Sequence, residues 1–138
     1  MIIADSQLAL SDDDFKKLGG LVGADLPASF ILHYKFSNGG YPEENHVKGE
    51  ESDFSFQGFF PIRYGQQTVE TIHADILEWG VVDKFIPFGF DDGGNVFYIS
   101  LEPCFAGNVL LLTADSHDVF KVCNSFDFFL NALEFRDA

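Results

Sequence analysis

Two short clusters in this 138-residue chain hold the residue types that metal coordination or acid–base chemistry uses. The first is Asp91-Asp92-Gly93-Gly94-Asn95, which loosely matches a calcium loop. It lacks the alternating ligand spacing and the terminal bidentate glutamate that such a loop needs. The second is Asp115-Ser116-His117-Asp118, where a histidine sits between carboxylates. The four histidines (33, 46, 73 and 117) are scattered singly, and turn chemistry accounts for both clusters without a metal. Nucleophilic chemistry has Cys104 and Cys123 to draw on, with His117 near in sequence. They form no Cys-x-x-Cys or zinc spacing, and no Gly-x-Ser-x-Gly elbow occurs. The run beginning at Gly89 is no phosphate cradle, because Asp91 and Asp92 would repel the phosphate. The 22 Asp and Glu could supply a glycosidase pair, but none is singled out. No catalytic, cofactor-binding or metal-binding residue is therefore assigned.

Charge excludes more than motifs do. Eight Lys and Arg against 22 Asp and Glu leave a net charge of −14. Nucleic acid and anionic membrane both require a basic footprint, so neither is an expected partner. A basic protein partner is permitted, with solubility as the competing explanation for the acids.

The element around which the chain is organised is the stretch from Phe85 to Leu101. Ile86, Phe88 and Phe90 alternate on the way in, and Phe97, Ile99 and Leu101 on the way out. This period predicts a β-hairpin with one buried face. Gly93, Gly94 and Asn95 are expected to supply positive φ at the reversal. Upstream, Ser11 caps a helix with Asp14 reaching back to it and Leu10 stapled to Phe15, shortened by Gly19-Gly20. A second helix opens at Asp25-Leu26-Pro27 and runs through Phe30, Ile31 and Tyr34, with His33 as a polar flank. Asn38-Gly39-Gly40 stops it on a left-handed glycine. Pro42 to Asp53 carries five acids and one lysine and reads as a loop, alone or around one short strand.

Phe54 to Phe60 alternates as a strand that Pro61 ends. Thr68 caps a third helix through Trp79, with Val69, Ile72, His73 and Ile76 on one side and Gly80 closing it. Asn108–Thr113 predicts a strand covered on both faces, and Val119–Val122 another. Ser125 caps a last helix whose Phe126, Phe129, Leu130 and Leu133 make a core stripe. The expected class is α+β: two N-terminal helices, a mostly antiparallel sheet of about five or six strands interrupted by one helix, and a C-terminal helix packed on it. No repeat or linker divides residues 1–138, so one domain is expected. The acidic N-terminus is no signal peptide and no apolar run reaches membrane-span length. A cytoplasmic protein with free, buried thiols is expected.

Leu26-Pro27, Phe30, Ile31, Tyr34 and Asn38-Gly39-Gly40 together resemble the "LP…NGG" signature of the SUKH (Smi/Knr-like) superfamily. The hairpin Ile86-Pro87-Phe88-Gly89 through Asp92-Gly93-Gly94-Asn95 is similar to its "ipFg…dGgGn" block, with Asn95 where members often carry another glycine. Val119 to Leu130 resembles its closing strand followed by "sF..FL". The resemblance implies a non-enzymatic α+β immunity or adaptor module, in which Pro27, Gly39, Gly40, Gly93 and Gly94 shape the fold. Bacterial members bind and block a cognate toxin, often a nuclease or nucleic-acid deaminase.

Joined to the charge, this implies an immunity protein that occupies the basic cleft of such a toxin as a polyanion mimic. The candidate partner-binding residues are Glu43, Glu44, Glu50, Glu51 and Asp53, with Asp91 and Asp92 at the hairpin tip and Tyr41 as an aromatic anchor. A monomer or weak dimer is expected. A regulatory adaptor like the fungal cell-wall-assembly relatives, and a small hydrolase, are the rival functions.

Overall fold

The computed structural model describes residues 1–137. In chain order the elements are β1 (Ile3–Ala4), α1 (Asp12–Val22), α2 (Ala28–Phe36), β2 (Tyr41–Pro42), β3 (His46–Lys48), β4 (Asp53–Ser55) and β5 (Gly58–Phe59). They continue as α3 (Val69–Trp79), β6 (Phe85–Phe90), β7 (Val96–Ser100), β8 (Val109–Leu112), β9 (Val119–Cys123), α4 (Phe126–Ala132) and β10 (Leu133–Glu134). All strand pairs are antiparallel: a five-stranded sheet ordered β5-β6-β7-β8-β9, a three-stranded one ordered β10-β3-β4, and the pair β1-β2. The class is α+β.

Local chemistry sets the helix ends. Ser11 and Asp14 form a reciprocal capping box, Oγ accepting from the Asp14 amide and Oδ2 from the Ser11 amide at 2.9 Å. Asp14 also pairs with Arg63 at 2.7 Å, and the Ser11 amide and that guanidinium hold its carboxyl below the ordinary range. Removing the cap hydroxyl in Ser11→Ala is expected to cost about 1 kcal/mol. A denaturant midpoint that did not move, at unchanged slope, would show the cap to be dispensable. The helix runs through Gly19-Gly20, beyond the early end expected there, and stops at left-handed Gly23. Thr68 and Ser125 cap α3 and α4 as the sequence indicates.

The Asn38-Gly39-Gly40 turn works differently from the expected glycine stop. The helix ends one step earlier, on extended Ser37. Asn38, 2% exposed, is a buried cross-link: its Oδ1 accepts from the Ile62 amide at 2.7 Å, and its Nδ2 donates to Leu8 O and Ile62 O at 2.9 and 3.0 Å. Gly40 has φ +106, and a Cβ there would stand 2.5 Å from Ala4 O. Only glycine lets the N-terminal strand lie this close to β2.

The hairpin is buried on both faces, because helices cover both sides of the sheet where the alternation implied one. Phe88 packs against Phe126 and Phe129 at 4.9 and 5.0 Å, and Phe97 against Phe129. Tyr34 reaches from α2 into the same layer, its hydroxyl 2.7 Å from Phe60 O. On the opposite side Phe85 meets Tyr98 and the His73 ring of α3, the latter at 4.7 Å. A register shift between Pro87 and Gly89 breaks the expected alternation. A Cβ on Gly89 would meet the Phe56 ring at 2.7 Å, so the bulge needs glycine there. Beyond it Phe90 leaves the Phe88 cluster and packs on Phe60 at 4.9 Å.

Other differences share one cause, pairing with distant segments. Phe54–Phe60 is two short strands in different sheets, separated at Phe56-Gln57. Leu133 is not on the α4 stripe but pairs with Val47 as β10. The acidic segment holds β3 and the start of β4. Within the hairpin turn only Gly94, of the three residues expected, has positive φ.

Candidate partner-binding surface

β2 brings Tyr41 to the surface, 46% exposed, with its ring edge-on to Phe90 at 6.1 Å. The hairpin tip reaches the acidic segment through Ser55, whose Oγ donates to Asp92 Oδ1 at 3.2 Å. Tyr41 and Asp92 thus both adjoin the β6 end, at Phe90 and the tip.

The individual acids differ in what they can offer. Glu43, Glu51 and Asp92 are exposed. Glu50 is exposed but pairs with Lys121 at 3.3 Å, and its amide donates to Val122 O, which docks the β3–β4 turn on the edge of β9. Asp53 pairs with Arg136 at 3.0 Å, and Arg136 also engages Glu134. Glu44 is half-buried, with one carboxylate oxygen enclosed and without a hydrogen-bond partner. Asp91 is 9% exposed and turned inward. Its Oδ1 accepts from the Gly93 and Asn95 amides at 3.0 and 2.9 Å, and its Oδ2 from Asn95 Nδ2 at 2.9 Å. Asn95, standing where the resembled motif often has glycine, also accepts from the Ala114 amide at 3.0 Å. It ties the hairpin tip to the next turn, a task glycine lacks the side chain for.

Among the described residues, five of the eight cations are in ion pairs: Lys17, Lys35, Arg63, Lys121 and Arg136. The exposed pairs contribute little to stability. Their main consequence is to leave few free cations against the surplus of carboxylates, so the outer field is negative.

Beside Tyr41 lies a cleft of about 470 Å³. Its walls come from the residues just after β1, from Gly40 and Tyr41, from Phe59 and Phe60, from the Pro61–Gln67 loop and from Phe90. Asp5, Gln7, Gln66 and Gln67 line it together with Tyr41. Nothing in the sequence pattern marks Asp5 or the three glutamines. They converge only because β1 pairs with β2 and Gln7 bridges to Asn38.

Elsewhere the titratable groups have structural surroundings. His33 is 8% exposed rather than a polar flank, packed on Phe59 at 4.5 Å and near Tyr34 and Phe126, with Nε2 lacking a partner. Burial pulls its pKa down to about 4. His117 stacks on Trp79 at 4.2 Å, while Asp115 and Asp118 bond to Ser116. The Cys123 thiol is buried and its pKa pushed up to about 11 by that burial, whereas Cys104 is exposed, against the expectation of two buried thiols. Asp83 and Glu102 are carboxyl groups that the fold does bring into contact, and the bond from Asp83 raises the Glu102 pKa. Among the described residues no group of three His, Cys, Asp or Glu is placed to hold a metal ion, and no helix is long and apolar enough to cross a membrane.

The model of the SMI1/KNR4 family (SUKH-1) matches residues 9–132, which takes in α1 through α4 and every segment described above except β1, the residues just after it and β10. No curated protein matches the chain.

Proposed function

We propose that this chain, which belongs to the SMI1/KNR4 family (SUKH-1), is an immunity protein that neutralises a cognate bacterial toxin by stoichiometric binding. The toxin is a nuclease or another enzyme that acts on nucleic acid, and the chain acts on it in the cytoplasm. It works by occupancy, without turning over a substrate.

The observation that carries this reading is the charge of −14 on a member of this family. An enzyme that handles nucleic acid needs a basic cleft for phosphate, and a rigid acidic surface competes for that cleft. Opposite fields also speed encounter, which serves an inhibitor that must act before damage occurs. The proposed contact residues are Tyr41, Glu43, Glu51 and Asp92, with Glu44, Glu50 and Asp53 flanking them. Asp91 supports the tip from inside, because its carboxylate already accepts three hydrogen bonds.

Co-expression with the proteins encoded by the flanking genes, followed by pull-down, tests the pairing. A captured toxin whose activity is lost at one-to-one stoichiometry is the expected result. Capture of a host assembly protein with no toxic activity would establish the adaptor function instead. With the toxin in hand, association measured from low to high salt should slow by about tenfold or more. A rate flat in salt would remove electrostatic steering.

A further inference from the structure

We propose that the cleft beside Tyr41 is a receptor for a single arginine side chain of a protein partner. The Tyr41 ring is the surface on which the guanidinium stacks, and the Asp5 carboxylate takes its N–H groups. The immunity function supplies only the class of partner; the cleft itself rests on its own geometry.

Four observations converge. The cleft, about 470 Å³, has an aromatic wall that is partly open to solvent and firmly backed. Tyr41 is 46% exposed, Phe90 stands edge-on to it at 6.1 Å, and Phe60 holds Phe90 from behind at 4.9 Å. The polar side chains that line it are one carboxylate, Asp5, and three amides, Gln7, Gln66 and Gln67. No lysine or arginine lines it. The rings are also placed by a missing side chain: a Cβ on Gly58 would stand 2.9 Å from Tyr41 Cδ1 and 3.0 Å from Phe90 Cζ. Finally, Asp5 adopts φ +61, which side chains seldom take, and the Gln7 amide bonds Asn38 O at 2.9 Å two residues on. The segment carrying the carboxylate is therefore pinned.

The chemistry selects arginine. A planar cation stacks on an aromatic face, and its forked N–H groups match a carboxylate and amide oxygens together. A lysine ammonium is a strongly hydrated point charge and uses such a slot less fully. An anionic ligand would face Asp5 and the net charge of −14.

The test is an amide-resolved NMR titration of the whole chain with N-acetyl-arginine amide, beside its lysine and citrulline counterparts. Saturable shifts at Tyr41, Gly65 and Phe90 are expected, with citrulline ineffective and lysine weaker by about fivefold. Asp5→Asn, which keeps a residue that tolerates left-handed backbone, and Tyr41→Ala should each weaken binding by about fivefold or more, while Tyr41→Phe retains it. Non-saturating shifts spread across the acidic surface, or citrulline binding as well as arginine, would overturn the proposal. A toxin neutralised with unchanged affinity by Tyr41→Ala would overturn the cleft's role and leave the immunity function standing. Saturable arginine binding with no toxin captured would support the cleft and remove the immunity function.

Discussion

Taking the protein from pH 7 to pH 4 is expected to remove about 3 kcal/mol of folding stability through His33 alone. The ring is enclosed by Tyr34, Phe59 and Phe126, and its Nε2 has no hydrogen-bond partner. No charged group contributes to its shift: burial lowers the pKa from 6.5 to about 4. Between those two values the unfolded chain binds a proton that the folded chain refuses. The stability is therefore fully present above about pH 6.5, falls as the pH drops through that window, and levels below about 4. His73, stacked on Phe85, is shifted the same way by burial and adds to the fall. Carboxylates titrate over the lower part of the window, so the informative quantity is the difference between wild type and His33→Leu. That variant should match or exceed wild type at pH 7, because the orphaned nitrogen is gone. It should then gain steadily on wild type down to pH 4. Parallel stability–pH curves from urea unfolding would refute this account of His33.

Asn38→Ala is expected to cost about 3 kcal/mol, near 10 °C in Tm for a domain of this size. The N–H of Ile62, a residue buried to 0% exposure, depends on that amide, and its C=O accepts from it beside the Tyr64 amide. Alanine leaves the N–H dry and unpaired, at roughly 1–3 kcal/mol, and removes one of the two bonds to the C=O, at about 1 kcal/mol. It also frees Leu8 O in the segment ahead of α1. Asn38→Asp keeps the acceptor for the Ile62 amide but loses both donors and sets a charge against two carbonyls, so it should fare no better. Ser37→Ala, which removes one bond to Gly39 O, is the milder neighbour at about 1 kcal/mol. A loss below 1 kcal/mol for Asn38→Ala, or an aspartate that substitutes freely, would mean the cross-link is not what joins α2 to the Pro61 loop.

The resemblance to a family points at Asn38-Gly39-Gly40, and the structure supplies the physical reason those residues are needed. It is not the helix stop that their composition suggests. Asparagine is needed because its partners lie 24 and 30 residues away, and Gly40 because a neighbouring strand passes 2.5 Å from its absent Cβ. Among the proposed contact residues the pattern is similar. Composition marked the acids as a group. It could not separate Asp92, which faces outward, from Asp91, which is occupied by its own turn.

What the amino-acid sequence determined unaided is whatever closes within a few residues. The Ser11–Asp14 box, the Thr68 and Ser125 caps, the Gly80 stop and the hairpin between Phe85 and Leu101 all depend on neighbours in the chain, and each is where its residues place it. The negative charge, a sum with no geometry in it, is likewise a property of composition. Tertiary structure decided the rest. The bulge that sends Phe90 toward Tyr41, the pairing of Asp14 with Arg63 49 residues on, the capture of Leu133 by β3, the burial of His33 and the cleft around Asp5 each join segments remote in sequence. Such contacts leave no local period or spacing to read, because a side chain's environment is set by whichever distant surface packs against it.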